Sequence, residues 1–253
     1  MTYFERYKNG QCVAVWNELT ALGETVRDSA IVGDAVSVAH LTMERVATNI
    51  DRLVERLASH GYEFGVYPDG TRFTIESAAL AKPDAEFRAL IAELEHLAGA
   101  IPLSLRAFWD VVGSVSLIGR ARNDWPEYGD PLCVEGPAAG LADFHDWYAD
   151  LDMGEPATEE AFLCPIAPDV LHKDNVSGGP PYSVKLPDRG ADAMVCDEWH
   201  NVCFIPYLRI AILDWGGFPG LSHANPQDRW RSKGKAFVPP EWLPELTHDL
   251  MTF

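Results

Sequence analysis

The chain has 253 residues, 47% of them hydrophobic and 11% aromatic, so it can fill a core and is not expected to be disordered. Its 38 acidic and 20 basic residues give a formal net charge of −18, which repels phosphate and argues against a nucleic-acid ligand. No apolar run approaches membrane-spanning length and the N-terminus has no signal-peptide core, so we expect no membrane partner. Five scattered cysteines without a CxxC pair argue against a zinc or disulfide framework and favour the cytoplasm.

The first 83 residues are predicted to be helical and to end in a short hairpin. Apolar residues recur at alternating three- and four-residue spacings from Val36 to Leu57, which predicts one long helix with a buried stripe. Gly61 is its expected C-cap, and an earlier helix broken near Gly10 supplies apolar partners. Alternating residues on both sides of a Pro-Asp-Gly turn predict a hairpin over 62–75.

From residue 84 onward the pattern is typical of an α+β domain. Helices are predicted between Pro83 and Gly99, between Pro102 and Gly113, after Gly140 and over 204–215, and strands over 115–118, 132–134, 162–166, 182–186 and 193–196. The remaining residues are rich in proline and are predicted to wrap the surface. We therefore divide the chain into a helical region (1–83), an α+β domain (84–217) and a C-terminal wrap (218–253), which together form one compact unit.

Between Arg122 and Lys173 the chain has no Lys or Arg but twelve Asp and Glu residues, with aromatic residues interleaved. A folded acidic surface with aromatic anchors would attract a basic protein, whereas acidity alone also keeps proteins soluble, and both interpretations stay open. Three of the acids share the outer face of a predicted helix because they are three and four residues apart. The predicted partner-binding residues are Asp124, Trp125, Glu127, Asp130, Asp143, Asp146, Trp147 and Asp150.

Two polar loops offer an alternative, a small-ligand or catalytic site. One precedes a Gly-Gly pair at 178–179, and the other follows a predicted strand. For each loop we favour the simpler interpretation, a turn or connection whose polar side chains cap the backbone. A site built from both requires a concave pocket where they converge. The candidate ligand residues are His172, Lys173, Asp174 and Asn175 in the first loop and Asp197, Glu198 and His200 in the second.

No catalytic or metal-binding motif accompanies these residues. His145 and Asp146 are adjacent on a predicted helix and point apart, and neither HExxH nor a calcium loop is present. Ser177 lacks the Gly-x-Ser-x-Gly context of a nucleophile, and Cys164 lies in an apolar strand where an inert thiol is expected. We therefore predict no catalytic residue, no metal and no cofactor.

Four segments occur in an order that resembles the SUKH superfamily, the Smi–Knr type of domain. Gly99–Trp109 is similar to that family's Gly-x-hydrophobic-Pro entry into its second helix, and Phe162–Ala167 resembles its Phe-x-Pro-Ile-Ala strand. The strand Tyr182–Val184 follows, and Phe204–Leu208 resembles a late helix of the family.

The resemblance implies an antiparallel sheet flanked by helices. It also implies a role that needs no catalytic residue: in many bacterial members, binding and neutralising a cognate toxin, often a nuclease. Eukaryotic relatives resemble signalling scaffolds, so the alternative function that the resemblance implies is a signalling scaffold. A nuclease face must be basic to bind phosphate, so an acidic inhibitor surface would complement it. We therefore predict a non-catalytic protein-binding module with a basic protein partner.

Overall fold

The computed structural model describes residues 1–67, 69–72, 79–121, 129–152, 161–222 and 241–253, excluding the side chains of 150–152. Helices and short antiparallel strands alternate in these ranges, which confirms the predicted α+β class. The helices are α1 Tyr3–Lys8, α2 Cys12–Ala21, α3 Val32–Ser59, α4 Ala85–Ala98, α5 Leu103–Val111, α6 Pro137–Asp152, α7 Val170–Lys173, α8 Phe204–Arg209 and α9 Leu243–Thr247. The strands are β1 Glu63–Phe64, β2 Leu80–Ala81, β3 Ser114–Ser116, β4 Gly119–Arg120, β5 Cys133–Val134, β6 Phe162–Ala167 and β7 Tyr182–Leu186.

Helix α3 is the long helix that the apolar spacing predicts. Its stripe from Ala39 to Leu57 is buried, it packs against α1 and α5, and Gly61 follows it with φ +77°. One continuous buried cluster extends from Tyr7 to Phe253, so the N-terminal helices and the C-terminal segment share a core with the strands. None of the described helices combines the length and the hydrophobicity needed to cross a membrane.

The opposite face of α3 is polar and binds the C-terminal segment instead of facing only solvent. Arg56 donates to the carbonyl oxygens of Leu246 and His248 at 2.8 and 2.7 Å. Buried Asn49 donates to the Met251 carbonyl and accepts from the Met251 N–H, both at 2.8 Å. These bonds satisfy a carbonyl in the last turn of α9 and backbone groups of His248 and Met251, which lie outside the described helices and strands, so side chains fix residues 246–251 to α3.

Replacing Asn49 by Ala is expected to detach this segment. Two buried hydrogen bonds disappear and the Met251 backbone loses both partners, which should lower the free energy of unfolding by about 2 kcal/mol. Chemical denaturation and limited proteolysis near the C-terminus measure the effect, with the exposed Thr48→Ala on the same helix as control. Equal stability and equal protease resistance in both variants would contradict the assigned role of Asn49.

The strands form three small antiparallel sheets: β1 with β4, β2–β3–β5, and β6 with β7. The single sheet that the resemblance implies is therefore divided among the described strands. A backbone hydrogen bond connects the sheet that contains β5 with the β6–β7 sheet: the Glu135 N–H donates to the Ile166 carbonyl oxygen at 2.7 Å. Of the predicted hairpin, Val66 and Arg72 form a bridge, and residues 68 and 73–75 lie outside the described residues.

Helix α6 begins at Pro137, four residues before the predicted start at Leu141, so Gly140 lies inside the helix instead of preceding it. Residue 140 packs directly against β6, since a Cβ at Gly140 would lie 2.6 Å from Cys164 Sγ. Glycine therefore allows α6 to approach β6 closely. At the other predicted long helix, α8 continues into a π-helical turn at Ile210–Asp214, after which Gly216 and Gly217 end it with positive φ.

A buried carboxylate joins the starts of α5 and α8. Asp192 accepts the Ser104 hydroxyl at 2.7 Å and the Ile205 N–H at 3.1 Å. Desolvation raises the pKa of Asp192 to about 6, although these hydrogen bonds and Arg209 oppose the rise. The protonated carboxyl is therefore favoured more in the folded chain than in the unfolded one.

This raised pKa predicts an unusual pH dependence of stability. The contribution of Asp192 is fully present below its unfolded pKa of 3.8 and is lost as pH rises through about 6. The loss corresponds to about 3 kcal/mol. Urea denaturation between pH 4 and 7 should therefore show a smaller decline for Asp192→Asn than for the wild type, with exposed Asp28→Asn as the charge control. Parallel curves for the wild type and Asp192→Asn would contradict this assignment.

Candidate functional site: an acidic cavity beside α6

The largest cavity described, about 650 Å³, lies between α6, the end of β6, α7 and the loop that follows α7. No Lys or Arg occurs among the described residues that line it. They are Tyr67, Ile118, Glu135, Ala139, Asp143, Pro165, Pro168, Asp169, His172, Asn175, Val176, Ser177, Gly179 and Pro181. The cavity therefore brings a helix residue of the predicted acidic surface together with two members of the first predicted ligand loop.

Two of its carboxylates lack a partner. Glu135 follows β5 and Asp143 lies on α6, and neither carboxylate has a hydrogen bond or ion pair to any described residue. Desolvation raises the pKa of Asp143, and nearby Asp146 raises it further. Desolvation also raises the pKa of Glu135; Lys173 lowers it and Asp143 raises it. Both carboxylates would therefore gain from a cation placed between them.

The third carboxylate is fixed by the chain itself. Asp169 is the N-cap of α7 and accepts the Leu171 N–H at 2.7 Å, and its other oxygen hydrogen-bonds His172 Nδ1. Gly178 lies against this carboxylate so closely that a Cβ there would overlap it. Because His172 is three residues after this N-cap, the carboxylate that caps α7 can also bond the His172 ring. The two side chains form a fixed His–carboxylate pair on the cavity wall.

A second cavity of about 390 Å³ shares Asp143 with the first and is lined by Trp147, Ala161, Phe162, Leu163 and Lys185. Trp147, predicted as an anchor, is half-buried and contacts the rings of Phe144 and Phe162 at centroid distances of 5.6 Å. Leu163 is 48% exposed. Acidic and apolar surfaces therefore adjoin along α6, and Asp146 lies exposed on the same helix.

Asp130 does not belong to the exposed surface, and the prediction that it binds a partner directly is wrong. It is fully buried, has φ +49°, and its Oδ1 lies 2.6 Å from Lys173 Nζ. Tyr182 donates to its other oxygen at 3.4 Å. Lys173 is also fully buried, so it is no free ligand of the loop, and its ammonium lies 4.6 Å from the Tyr182 ring centroid. Burial makes the pair obligatory, because either charge alone would be costly.

Breaking this pair should destabilise the fold strongly. Lys173→Met leaves the Asp130 carboxylate buried without its cation, and we expect the free energy of unfolding to fall by about 3–5 kcal/mol. The double variant with Asp130→Asn removes the uncompensated charge and should recover part of the loss. Urea denaturation measures both, with exposed Lys185→Met as control. A loss no larger than that of the control would show that the pair contributes little.

The second predicted loop lies elsewhere. Glu198 and His200 are hydrogen-bonded to each other and are absent from the described lining of both acidic-side cavities, whereas Asp197 is exposed. The two predicted loops therefore do not converge on one of these cavities. They approach the same buried interior instead, since Glu198 acts electrostatically on Asp130.

Several predicted residues fall outside what the structure describes. Asp124, Trp125 and Glu127 lie outside the described residues, as does the side chain of Asp150 on α6. Asp174 is the C-cap of α7, and Asn175 has φ +62° and donates to Asp69 at 2.9 Å, as expected for turn residues. Sequence reasoning did not single out Glu135 and Asp169. The Asp-x-x-His spacing before a short helix was a usable signal for Asp169, whereas Glu135 had none.

Comparison with known proteins found no matching family model, and no similar curated protein or solved structure. Among the described residues, no group of three or more His, Cys, Asp or Glu side chains is arranged to hold a metal ion. The geometry of the site therefore provides the basis for assigning a function.

Proposed function

We propose that the protein is a binding module that binds a basic partner at the acidic cavity and at the adjoining surface of α6. The observation that carries the proposal is the pair Glu135 and Asp143, two carboxylates in one open cavity whose described lining includes no Lys or Arg as a counter-charge. A guanidinium or ammonium group entering the cavity would supply that charge. An arginine suits the site because its planar fork can bond two carboxylates at once.

The neighbouring aromatic surface supports a protein partner over a free cation. Asp143 borders both cavities, and the second is otherwise lined by the apolar side chains of Trp147, Ala161, Phe162 and half-exposed Leu163 and by Lys185. Tyr148, 62% exposed, stacks on Phe144 at the same helix. A peptide segment with one basic and one apolar side chain would fill the two cavities together, which is the combination of charge and aromatic anchors that protein interfaces favour.

The SUKH resemblance gives the proposal its concrete form, a bacterial immunity protein that neutralises a basic toxin such as a nuclease. Binding alone accomplishes this, so no catalytic residue takes part. We assign the protein to the cytoplasm, where its five cysteines, all unpaired in the structure, stay reduced. Electrostatic attraction between an acidic inhibitor and a basic toxin would also speed their association at low salt.

Reversing the charges beside the cavity tests the proposal. Peptides selected from a random library on the wild-type protein are expected to combine Arg or Lys with an apolar residue. Asp143→Lys with Asp146→Lys should weaken their binding at least about 100-fold, because like charges then oppose the partner. Calorimetric titration at two salt concentrations measures the affinity, and thermal melting checks the fold.

The matched control is Glu44→Lys with Glu55→Lys on α3, which changes the net charge equally at exposed sites outside both cavities. If the control variant loses as much affinity as the α6 variant, only the overall charge matters and the cavity is not the site. Selection of peptides without basic residues would also contradict the proposal.

A further inference from the structure

A chain of three hydrogen-bonded side chains lies apart from the acidic cavity. His200 Nε2 is 2.6 Å from Ser222 Oγ, and His200 Nδ1 is 2.5 Å from Glu198 Oε1. All three are largely shielded from water: the side chains of Glu198 and His200 are 0% and 8% exposed, and Ser222 is 7% exposed. A hydroxyl, an imidazole and a carboxylate are therefore arranged in the order that activates a serine nucleophile.

With Glu198 ionised and His200 neutral, the bonding pattern gives each ring nitrogen a role. An ionised Glu198 carboxylate only accepts hydrogen bonds, so His200 Nδ1 carries the ring proton. In the neutral imidazole Nε2 is then the acceptor, and the Ser222 hydroxyl donates to it. The second oxygen of Glu198 accepts the backbone N–H of His200 at 2.9 Å, and this bond holds the carboxylate and the imidazole in one orientation. The base therefore faces the hydroxyl in the tautomer that removes its proton.

The backbone around the pair is held in an uncommon conformation. Asp197 and Asn201, on either side of the acid and the base, both have left-handed φ, at +63° and +54°. The Asn201 N–H donates to the Glu198 carbonyl at 3.1 Å, and the Val195 N–H to the Val202 carbonyl at 3.1 Å, so the segment is a tight hairpin. Left-handed non-glycine residues carry strain that tends to occur at functional sites.

An unused donor lies beside the base. The Trp199 ring packs on the His200 ring at a centroid distance of 5.6 Å, and its buried Nε1 has no hydrogen-bond partner among the described residues. A buried N–H without an acceptor is destabilising, because its bonds to water are lost and not replaced. An acceptor oxygen of a bound substrate would relieve this cost, and the same N–H could stabilise an oxyanion.

We propose that Ser222 is a nucleophile activated by His200 and Glu198, and that it hydrolyses a small carboxylic ester. Ser222 Oγ bonds to the carbonyl carbon while its proton passes to His200 Nε2. The carbonyl–alkoxide bond then breaks, and Nε2 gives the proton to the departing alcohol. Water attacks the acyl-serine, its proton passes to Nε2 and on to Ser222 Oγ, and the acid is released.

A small alkyl fluorophosphonate, which traps activated serines, and p-nitrophenyl acetate test the proposal on the full chain. We expect one phosphonyl group on Ser222 by peptide mapping, and hydrolysis of the ester. Ser222→Ala should abolish both. His200→Gln should slow both about 100-fold or more, because the general base is lost. Glu198→Gln should also slow them, since its amide can keep the backbone hydrogen bond but no longer stabilises an imidazolium.

Two matched controls separate this chemistry from general reactivity. His60→Ala removes another His–carboxylate pair, the one with Glu245, and Ser59→Ala removes an exposed serine; both should react like the wild type. Thermal melting checks the fold of every variant. Absence of an adduct on Ser222 in the folded wild type, equal rates in His200→Gln, or labelling without ester hydrolysis would each overturn the assignment. Neither the Ser222 adduct nor ester hydrolysis involves the acidic cavity, so this inference and the binding proposal can fail independently.

Discussion

The buried ion pair between Lys173 and Asp130 is the interaction on which the arrangement of both polar sites depends. It connects α7, the segment before β5 and, through Tyr182, the start of β7. Because neither charge is stable alone in a dry interior, these segments must dock together for the chain to fold. The acidic cavity then lies on one side of α7, whereas the hairpin with Glu198 lies toward β7, where Ser183 bridges Cys196.

Local pattern predicts the long helices, but neither the short helices α7 and α9 nor the burial of charges. The three- and four-residue spacing of α3, and the Pro and Gly residues around α4 and α5, give nearly the observed boundaries, because those features act within a few residues. Asp130 was assigned to the surface because its neighbours in sequence are acidic. Its partner, Lys173, is 43 residues away, and no periodicity reports a contact over that separation.

The candidate site was predictable to the extent that it lies on a regular element. Asp143 and Trp147 follow from the face of α6, and His172 from a polar segment beside glycines. Glu135 reaches the cavity because the end of β5 bonds to β6, and Ser222 reaches His200 across 22 residues. Tertiary packing produces these contacts between residues distant in sequence. The sequence therefore shows that each residue type is present but does not predict which residue it contacts.

The two polar sites differ in how far their groups are satisfied, and this difference separates their chemistry. Glu135 and Asp143 face an open cavity without described partners, so their free energy falls when a cation arrives, which is a property of a binding surface. Glu198, His200 and Ser222 have already satisfied one another. A chain of that kind gains nothing from a counter-charge, but it is preorganised to move a proton, and only the unpaired Trp199 N–H beside it still requires an acceptor.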